Sequence, residues 1–376
     1  MIERRLLKNV DFVLIFVVLF IMVAGLLMIY SATRTNAWGD PFYFAKRQAL
    51  WMVLSLAVVI IFLGFDYTGF PRWSSIMYLV NLGLLAAVLL VGKQALGAQS
   101  WIQVGPFVVQ PSEFAKIMII LTLANHLARY EGRIETWWDF LSPFIHVGVP
   151  VLLILRQPDL GTALVFLAIL FGMLFVAGAP LGRLLGVFGG GLALAVGAIV
   201  GHLKYGWWIP LKDYQLKRLI VFVDPGVDPM GAGYHIIQSR IAIGSGGILG
   251  KGLFAGTQNQ LDFLPERHTD FIFSVIGEEL GFVGGALLLV LLFVLLWRGI
   301  IIASKAKDLY GTLVATGVVS LYTFHILVNV GMAVGVMPVT GLPLPFVSYG
   351  GSSLLSNSIG LALLLNVYMR RRKILF

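Results

Sequence analysis

Long apolar runs recur along the chain and are separated by short polar breaks. A helix needs about 20 mainly apolar residues to cross the hydrocarbon core of a bilayer. This pattern predicts an all-α integral membrane protein, a single domain over residues 1–376 with about ten transmembrane helices. The predicted spans are residues 12–32, 44–63, 74–91, 113–127, 143–155, 160–177, 181–200, 271–297, 310–336 and 353–369.

Basic residues are distributed unevenly between alternate polar breaks. If the amino terminus lies inside, the short outer breaks hold only Arg34, Lys46, Arg47, Lys93 and Arg156. Because short loops rich in Lys and Arg remain in the cytoplasm, both termini are predicted to lie there. The basic residues assigned to the cytoplasm are Arg4, Arg5, Lys8, Arg72, Arg129, Arg133, Arg183, Arg298, Lys305, Lys307, Arg370, Arg371, Arg372 and Lys373.

A long segment of mixed polarity, residues 202–268, connects the seventh and eighth spans. The topology predicts that this large loop is extracytoplasmic. Loops of such length are usually functional or disordered. Its aromatic residues, its glycines and the apolar stretch 236–248 argue against disorder. We therefore expect re-entrant or interfacial helices that pack on the bundle and contribute to the site.

The composition excludes several classes of protein. Hydrophobic residues make up 59% of the chain and charged residues 12%, far from the usual balance of soluble proteins. The absence of cysteine excludes disulfides, thiolate metal sites and cysteine nucleophiles. Topology accounts for the net charge of +9, so nucleic acid is not an expected partner. The glycine-rich run 244–252 departs from the phosphate-loop pattern, which leaves tight turning or close backbone approach as its expected role.

Four polar clusters stand at the amino-terminal ends of the fourth, sixth, eighth and tenth spans. They read QPSE at 110–113, QPDLGT at 157–162, PERHTD at 265–270 and SYGGSS at 348–353. All four spans run outside to inside, so their free N–H groups and partial positive charges face outward. Simple helix capping is the alternative for any one cluster. Four such clusters on one face favour a site for an anion such as phosphate. Arg47 and Lys116 could add positive charge to that site.

Asp270 lies where the long loop meets the eighth span and is the candidate catalytic carboxylate. A partly desolvated position would tune its pKa to suit a general base. The alternative is an N-cap aspartate, whose pKa the helix dipole would lower.

Other charged residues fall inside the predicted spans. Glu113 and Lys116 are three residues apart, so they share one helix face and form either a structural ion pair or part of the site. Glu278 and Glu279 lie about two turns inside the eighth span, as functional candidates or as hydrogen-bond partners of the ninth span at His325 or Asn329.

Motifs in a fixed order cover essentially the whole chain. They lie at residues 101–102, 110–116, 157–162, 217–219, 224–225, 233–235, 238–239, 244–247, 256–258, 264–273 and 345–353. In this order and spacing the chain resembles the RodA/FtsW (SEDS) family of cell-wall synthesis. Residues 266–268, residues 345–347 and the short tail resemble the elongation branch, typified by RodA, more than the division branch.

The resemblance implies a ten-helix glycosyltransferase in the bacterial cytoplasmic (inner) membrane that polymerises lipid II on the outer face. It implies a class B penicillin-binding protein as partner, with other membrane proteins of the elongation complex. The family's essential aspartate maps onto Asp270, and its fourth-helix ion pair onto Glu113 and Lys116. Further residues expected to bind substrate are Arg47, Trp101, Asp159, Arg218, Gln238, Ser239, Lys251, Glu266, His268, Ser348 and Ser352.

The expected chemistry needs one base, because the leaving group is a pyrophosphate anion. The basic residues Arg47, Lys116, Arg218 and Lys251 are expected to hold it. The sequence requires no cofactor and leaves a divalent cation, Mg²⁺ or Mn²⁺, open. A lipid II flippase and a scaffold for the transpeptidase are the alternatives, and neither would make glycan.

Overall fold

The computed structural model describes residues 9–35, 40–95, 98–105, 107–209 and 212–371, which contain thirteen α-helices. The predicted all-α membrane architecture is confirmed. The helices are α1 Phe12–Thr33, α2 Tyr43–Gly64, α3 Ser74–Val91, α4 Pro111–Ala128, α5 Trp137–Arg156, α6 Leu160–Val176, α7 Leu181–Tyr205, α8 Asp213–Val223, α9 Ala232–Gly246, α10 Thr257–Gln260, α11 Ile272–Ser304, α12 Leu309–Val334 and α13 Gly351–Met369.

Helices α1–α7 and α11–α13 correspond to the ten predicted spans. Eight of them are long and apolar enough to cross a membrane, and α6 is a shorter apolar helix of 17 residues. Helix α5 begins six residues before the predicted start, because a capping box between Thr136 and Asp139 nucleates it at Trp137. Helix α7 continues to Tyr205, so the long loop begins at Gly206 rather than at residue 202.

The core lies between α12, α13 and the helices around them. More than two thirds of the α13 span is buried, whereas α7 buries only Leu184 and Gly201 and lies at the edge of the bundle. Helix α12 approaches α4 and α6 closely at Gly317, where an added Cβ would come within 2.7 Å of Ile120 and 2.9 Å of Met173. Small residues at such crossings permit the close packing that stabilises membrane helices.

The first and last described residues meet at one end of the bundle. Arg371, after α13, donates a hydrogen bond to the carbonyl oxygen of Asn9, before α1, at 3.1 Å. Arg298 of α11 pairs there with Asp11, the N-cap of α1. Arg4, Arg5, Lys8, Arg372 and Lys373, which the sequence assigned to the cytoplasm, lie outside the described residues.

The loop between α7 and α11 folds back on the bundle, as predicted for an ordered segment. Helix α9 packs against α11 and α12. The following glycine-rich turn lies against a break in α11 at Gly281, which adopts φ 63°. The amides of Lys251 and Gly252 donate to the carbonyls of Glu278 and Glu279 at 3.0 Å. An added Cβ at Gly250 would come within 2.2 Å of the Glu279 carbonyl oxygen, so the expected close backbone approach is confirmed.

A small antiparallel sheet between α3 and α4 was not predicted. Its strands are β1 Lys93–Ala95, β2 Ala98–Val104 and β3 Phe107–Val109, in the order β1-β2-β3. Ile102 pairs with Val109 and Val104 with Phe107. The sheet matters for the site because β2 carries Ser100 and Trp101 to the wall of a cavity.

Candidate functional site

A cavity of about 520 Å³ opens where α4, α6, α11 and α13 begin. Its walls include residues from all four polar clusters, which the sequence predicted to converge. The clusters are joined by hydrogen bonds: the amide of Gln110 donates to Ser352 Oγ at 3.1 Å, and Asp159 Oδ2 accepts from Gln110 Nε2 at 3.5 Å. The cavity is therefore lined by the amino-terminal ends of several helices, which favours an anionic ligand.

Asp270 lines this cavity two residues before α11, and its side chain is half-buried. Burial, reinforced by the nearby Glu266 carboxylate, raises the pKa of Asp270 to about 6, although Arg218 and Thr269 act in the opposite direction. The N-cap of α11 is Phe271, and no side chain caps the helix. The alternative interpretation of Asp270 as an N-cap with a lowered pKa is therefore wrong, and its carboxylate remains available to a ligand.

Two arginines bring positive charge to the same cavity. Arg47 of α2 donates to the Tyr43 hydroxyl at 2.8 Å. Arg218 of α8 lies over the Tyr214 ring, 5.6 Å from its centroid, and donates to the carbonyl oxygen of Val339 at 3.4 Å. Guanidinium groups held in this way bind phosphate oxygens with two parallel hydrogen bonds.

The predicted site residues divide into two groups. Those that line the cavity are Asp270, Arg47, Trp101, Asp159, Arg218, Glu266 and Ser352. Those that do not line it are Glu113, Lys116, Gln238, Ser239, Lys251, His268 and Ser348. For the second group, direct substrate contact stays a prediction that this cavity does not support, and most of its members bond to other parts of the protein.

Glu113 and Lys116 form a buried ion pair in α4. Lys116 Nζ lies 2.8 Å from Glu113 Oε1 and 3.2 Å from His325 Nε2, and both charged side chains are almost completely buried. Because the ammonium group already faces these two partners within the core, it does not reach the cavity. The structure thus fits the structural interpretation of this pair.

Lys251 is engaged by a carboxylate of α11 instead of by the cavity. Its Nζ lies 2.7 Å from Glu278 Oε1, and the Glu278 side chain is fully buried. Glu279 accepts hydrogen bonds from the Ser31 hydroxyl and the Phe254 amide. The expectation that Glu278 or Glu279 bonds to His325 or Asn329 is therefore wrong.

Three of the remaining residues brace the segment around Asp270. Ser348 Oγ donates to the carbonyl oxygen of Thr269 at 2.6 Å. The carbonyl oxygen of His268 accepts from the amide of Tyr349 at 2.9 Å. Ser239 of α9 bonds to Ser274 of α11 at 2.6 Å, which ties the loop between α7 and α11 to the same helix. These residues hold the walls of the cavity in place without lining it.

Sequence reasoning missed several lining residues, among them Ser100, Trp51, Tyr214, Gln215 and Thr340. The spacing of residues on a helix face could have identified two of them. Trp51 follows Arg47 by four residues on α2, and Tyr214 precedes Arg218 by four on α8, so each shares a face with its arginine. The hydroxyl groups of Ser100 and Thr340 are buried and find no hydrogen-bond partner among the described residues.

The described residues contain no group of three or more His, Cys, Asp or Glu side chains arranged to hold a metal ion. Two carboxylates, Glu266 and Asp270, nevertheless line the cavity within the same turn. Mg²⁺ is commonly held by one or two carboxylates together with substrate phosphates. The chemistry of these two side chains would fit a cation that arrives with a phosphorylated ligand.

Known proteins resemble the chain over nearly its whole length. Residues 11–373 match the family described as "Cell cycle protein", whose name joins FtsW, RodA and SpoVE. The stage V sporulation protein E of Bacillus subtilis is 40% identical over 365 residues, covering 95% of this chain and 96% of the relative. The peptidoglycan glycosyltransferase MrdB of Escherichia coli K12 is 38% identical over 373 residues, covering 97% and 95%.

A solved structure has the same fold. It comes from work on the "structural coordination of polymerization and crosslinking by a peptidoglycan synthase complex". The matching chain there is 38% identical with a TM-score of 0.79, and the match covers 96% of this chain and 98% of that one.

Proposed function

Because the chain belongs to the FtsW/RodA/SpoVE family, we propose that it is a peptidoglycan glycosyltransferase that polymerises lipid II during cell elongation. One observation carries the proposal beyond the family: a carboxylate with a pKa of about 6, Asp270, shares a cavity with Arg47 and Arg218. A base and two phosphate-binding cations are the groups that this transfer requires.

In the proposed reaction, Asp270 removes the proton from the 4-hydroxyl of the acceptor GlcNAc. The oxygen attacks the anomeric carbon of the donor MurNAc, a new glycosidic bond forms, and the bond to the pyrophosphate breaks. The undecaprenyl pyrophosphate leaves as an anion and needs no strong acid. A single carboxylate is therefore sufficient, in contrast to the paired carboxylates of glycosidases.

The pyrophosphate would be held by Arg47, Arg218 and the amino-terminal ends of α6 and α13. The proposal does not assign the pyrophosphate to Lys116 or Lys251, because each pairs with a buried glutamate. A divalent cation bound at Glu266 and Asp270 would add positive charge to the leaving group. The unpaired hydroxyls of Ser100 and Thr340 are available for hydroxyl or amide groups of the substrate.

The proposed setting is the cytoplasmic (inner) membrane of a bacterium, with both termini inside and the cavity outside. The contact between Arg371 and Asn9 supports a common side for the two termini, and the cavity lies at the opposite end. We propose a class B penicillin-binding protein as partner, supported by the structural relative from a synthase that also crosslinks. Other elongation-complex membrane proteins are further proposed partners.

The flippase and scaffold alternatives make different demands on the structure. A flippase that works by alternating access would place its site near the middle of the membrane. Here the polar cavity lies at one end of the bundle, beside the loop and the sheet. A scaffold would not need a half-buried carboxylate of raised pKa.

The test is polymerisation of labelled lipid II by the purified full chain with its partner transpeptidase. Long glycan strands on a gel from the wild type, and none from the Asp270→Ala variant in an intact complex, are expected. An inactive wild type across a series of divalent cations, or an active Asp270→Ala variant, would overturn the proposal.

A further inference from the structure

A second cavity, of about 340 Å³, lies at the end of the bundle opposite the candidate active site. It opens between the start of α3, the end of α4 and the first half of α5. We call it the histidine pocket and define it by the lining residues Ser75, Thr122, Asn125, His126, Arg129 and His146. Its volume is at the small end of the range for ligand sites.

One wall of the histidine pocket is a rigid stack of rings. Tyr78 stacks on His146 with centroids 4.2 Å apart, and His146 stacks on His126 at 5.3 Å. A hydrogen bond at Nε2 holds each histidine ring in place. His146 Nε2 lies 3.1 Å from the Thr122 hydroxyl, and His126 Nε2 lies 2.8 Å from the Ser142 hydroxyl. The ring positions are therefore set before any ligand binds.

The pocket carries a positive charge that no described carboxylate neutralises. Arg129 is exposed and pairs with no carboxylate among the described residues. No acidic residue lines the pocket. The side-chain amide of Asn125 makes no hydrogen bond to the part of the chain that the structure describes. A guanidinium and an amide that face the same small space favour an anion with several oxygen atoms.

Exposed tryptophans near the pocket indicate that it lies at the level of the lipid headgroups, which would supply such an anion. Trp73 immediately precedes α3 and is 52% exposed, and Trp137 and Trp138 begin α5 with 60% and 67% exposure. Tryptophan collects at the level of the lipid headgroups. Leu79, at the rim of the pocket, is also exposed and would lie against acyl chains.

We propose that the histidine pocket binds the phosphate group of a membrane phospholipid. Arg129 and Asn125 contact the phosphate oxygens, the ring stack forms the wall behind them, and Leu79 and the tryptophans contact the lipid around the rim. The site is separate from the proposed active site and does not depend on the proposed reaction.

The experiment measures binding of short-chain phosphatidylglycerol to the purified full chain in detergent. Saturable binding is expected for the wild type, and Arg129→Gln should weaken it roughly tenfold through loss of charge-assisted hydrogen bonds. Arg133→Gln is the matched control, because Arg133 is exposed at the same end and does not line the pocket. Its affinity should equal that of the wild type.

A second variant keeps the test valid if Arg129→Gln folds poorly. Ser75 is exposed at the mouth of the pocket, so Ser75→Asp should fold and repel the phosphate, whereas Ser75→Asn should bind normally. Competition with inorganic phosphate identifies the source of the anion. Failure of inorganic phosphate to compete supports a lipid. Competition by phosphate with no preference for lipid would overturn the proposal, because the pocket would then bind a soluble phosphate.

Two further results would overturn the proposal. One is unchanged binding in both Arg129→Gln and Ser75→Asp. The other is equal binding of diacylglycerol, which has the same chains without the phosphate and would show that only acyl chains are recognised.

Discussion

The side-chain amide of Asn329 in α12 donates a hydrogen bond to the carbonyl oxygen of Asp270 at 2.9 Å and another to that of Leu342 at 2.8 Å. One buried side chain thus connects the proposed base with the loop after α12, whose Gly341 lies close to the Asp270 carboxylate. Asn329 does not line the cavity, so its role is to position Asp270.

Replacement of Asn329 by Ala should therefore lower the polymerisation rate by roughly tenfold, since each lost neutral hydrogen bond is worth about 1 kcal/mol and small displacements of a base are costly. Asn366 is the matched control, because its amide also donates to two carbonyl oxygens, those of Phe62 and Phe65, at the other end of the bundle. Asn366→Ala should lose stability but keep the wild-type rate per folded molecule. Equal loss of rate in both variants would contradict the positioning role.

Asp270→Asn should reduce polymerisation by at least a hundredfold, because an amide cannot accept the proton of the attacking hydroxyl. Asp213→Asn, at an exposed aspartate that does not line the cavity, should leave the rate unchanged. The measurement is glycan formed per minute by protein of equal thermal stability. Full activity of Asp270→Asn would remove the general base from the mechanism.

The pH dependence of the rate should reflect the pKa of Asp270, which is about 6. The base acts when deprotonated, so the rate should fall as pH falls through 6 and reach about a tenth of its plateau at a pH about one unit below that pKa. Glu266 raises the pKa of Asp270, so Glu266→Gln should shift this acid limb to lower pH. An acid limb that Glu266→Gln leaves in place would show that another group controls the profile.

Lys251→Met should destabilise the protein by about 3 kcal/mol, because it leaves the fully buried Glu278 carboxylate without its cation. The double variant Lys251→Met/Glu278→Gln should recover part of the lost stability, since the unpaired charge is gone. Thermal unfolding in detergent measures both. Unchanged stability with a raised KM for lipid II in Lys251→Met would return Lys251 to the substrate site.

The sequence by itself determined the spans, the ordered loop after the seventh span and the shared end of the bundle at which the four polar clusters lie. Span length follows from bilayer thickness, and alternate spans must run in the same direction, so the four polar helix starts had to share one end. Asp270 was identified for the same reason: it stands at such a start, beside the long loop. Span length is a local property of the chain, and span direction alternates along it. Both can therefore be predicted without knowing how the helices pack.

Only the tertiary structure decided which charged residues face the cavity. Arg218, Lys116 and Lys251 look equivalent in the sequence, yet packing sets Lys116 against Glu113 and Lys251 against Glu278, while Arg218 remains at the cavity wall. The small sheet between α3 and α4 was also decided only by the tertiary structure, because short strands form only when separate segments pair. The energy of a charge depends on its neighbours in space, and those neighbours come from parts of the chain that no local pattern connects.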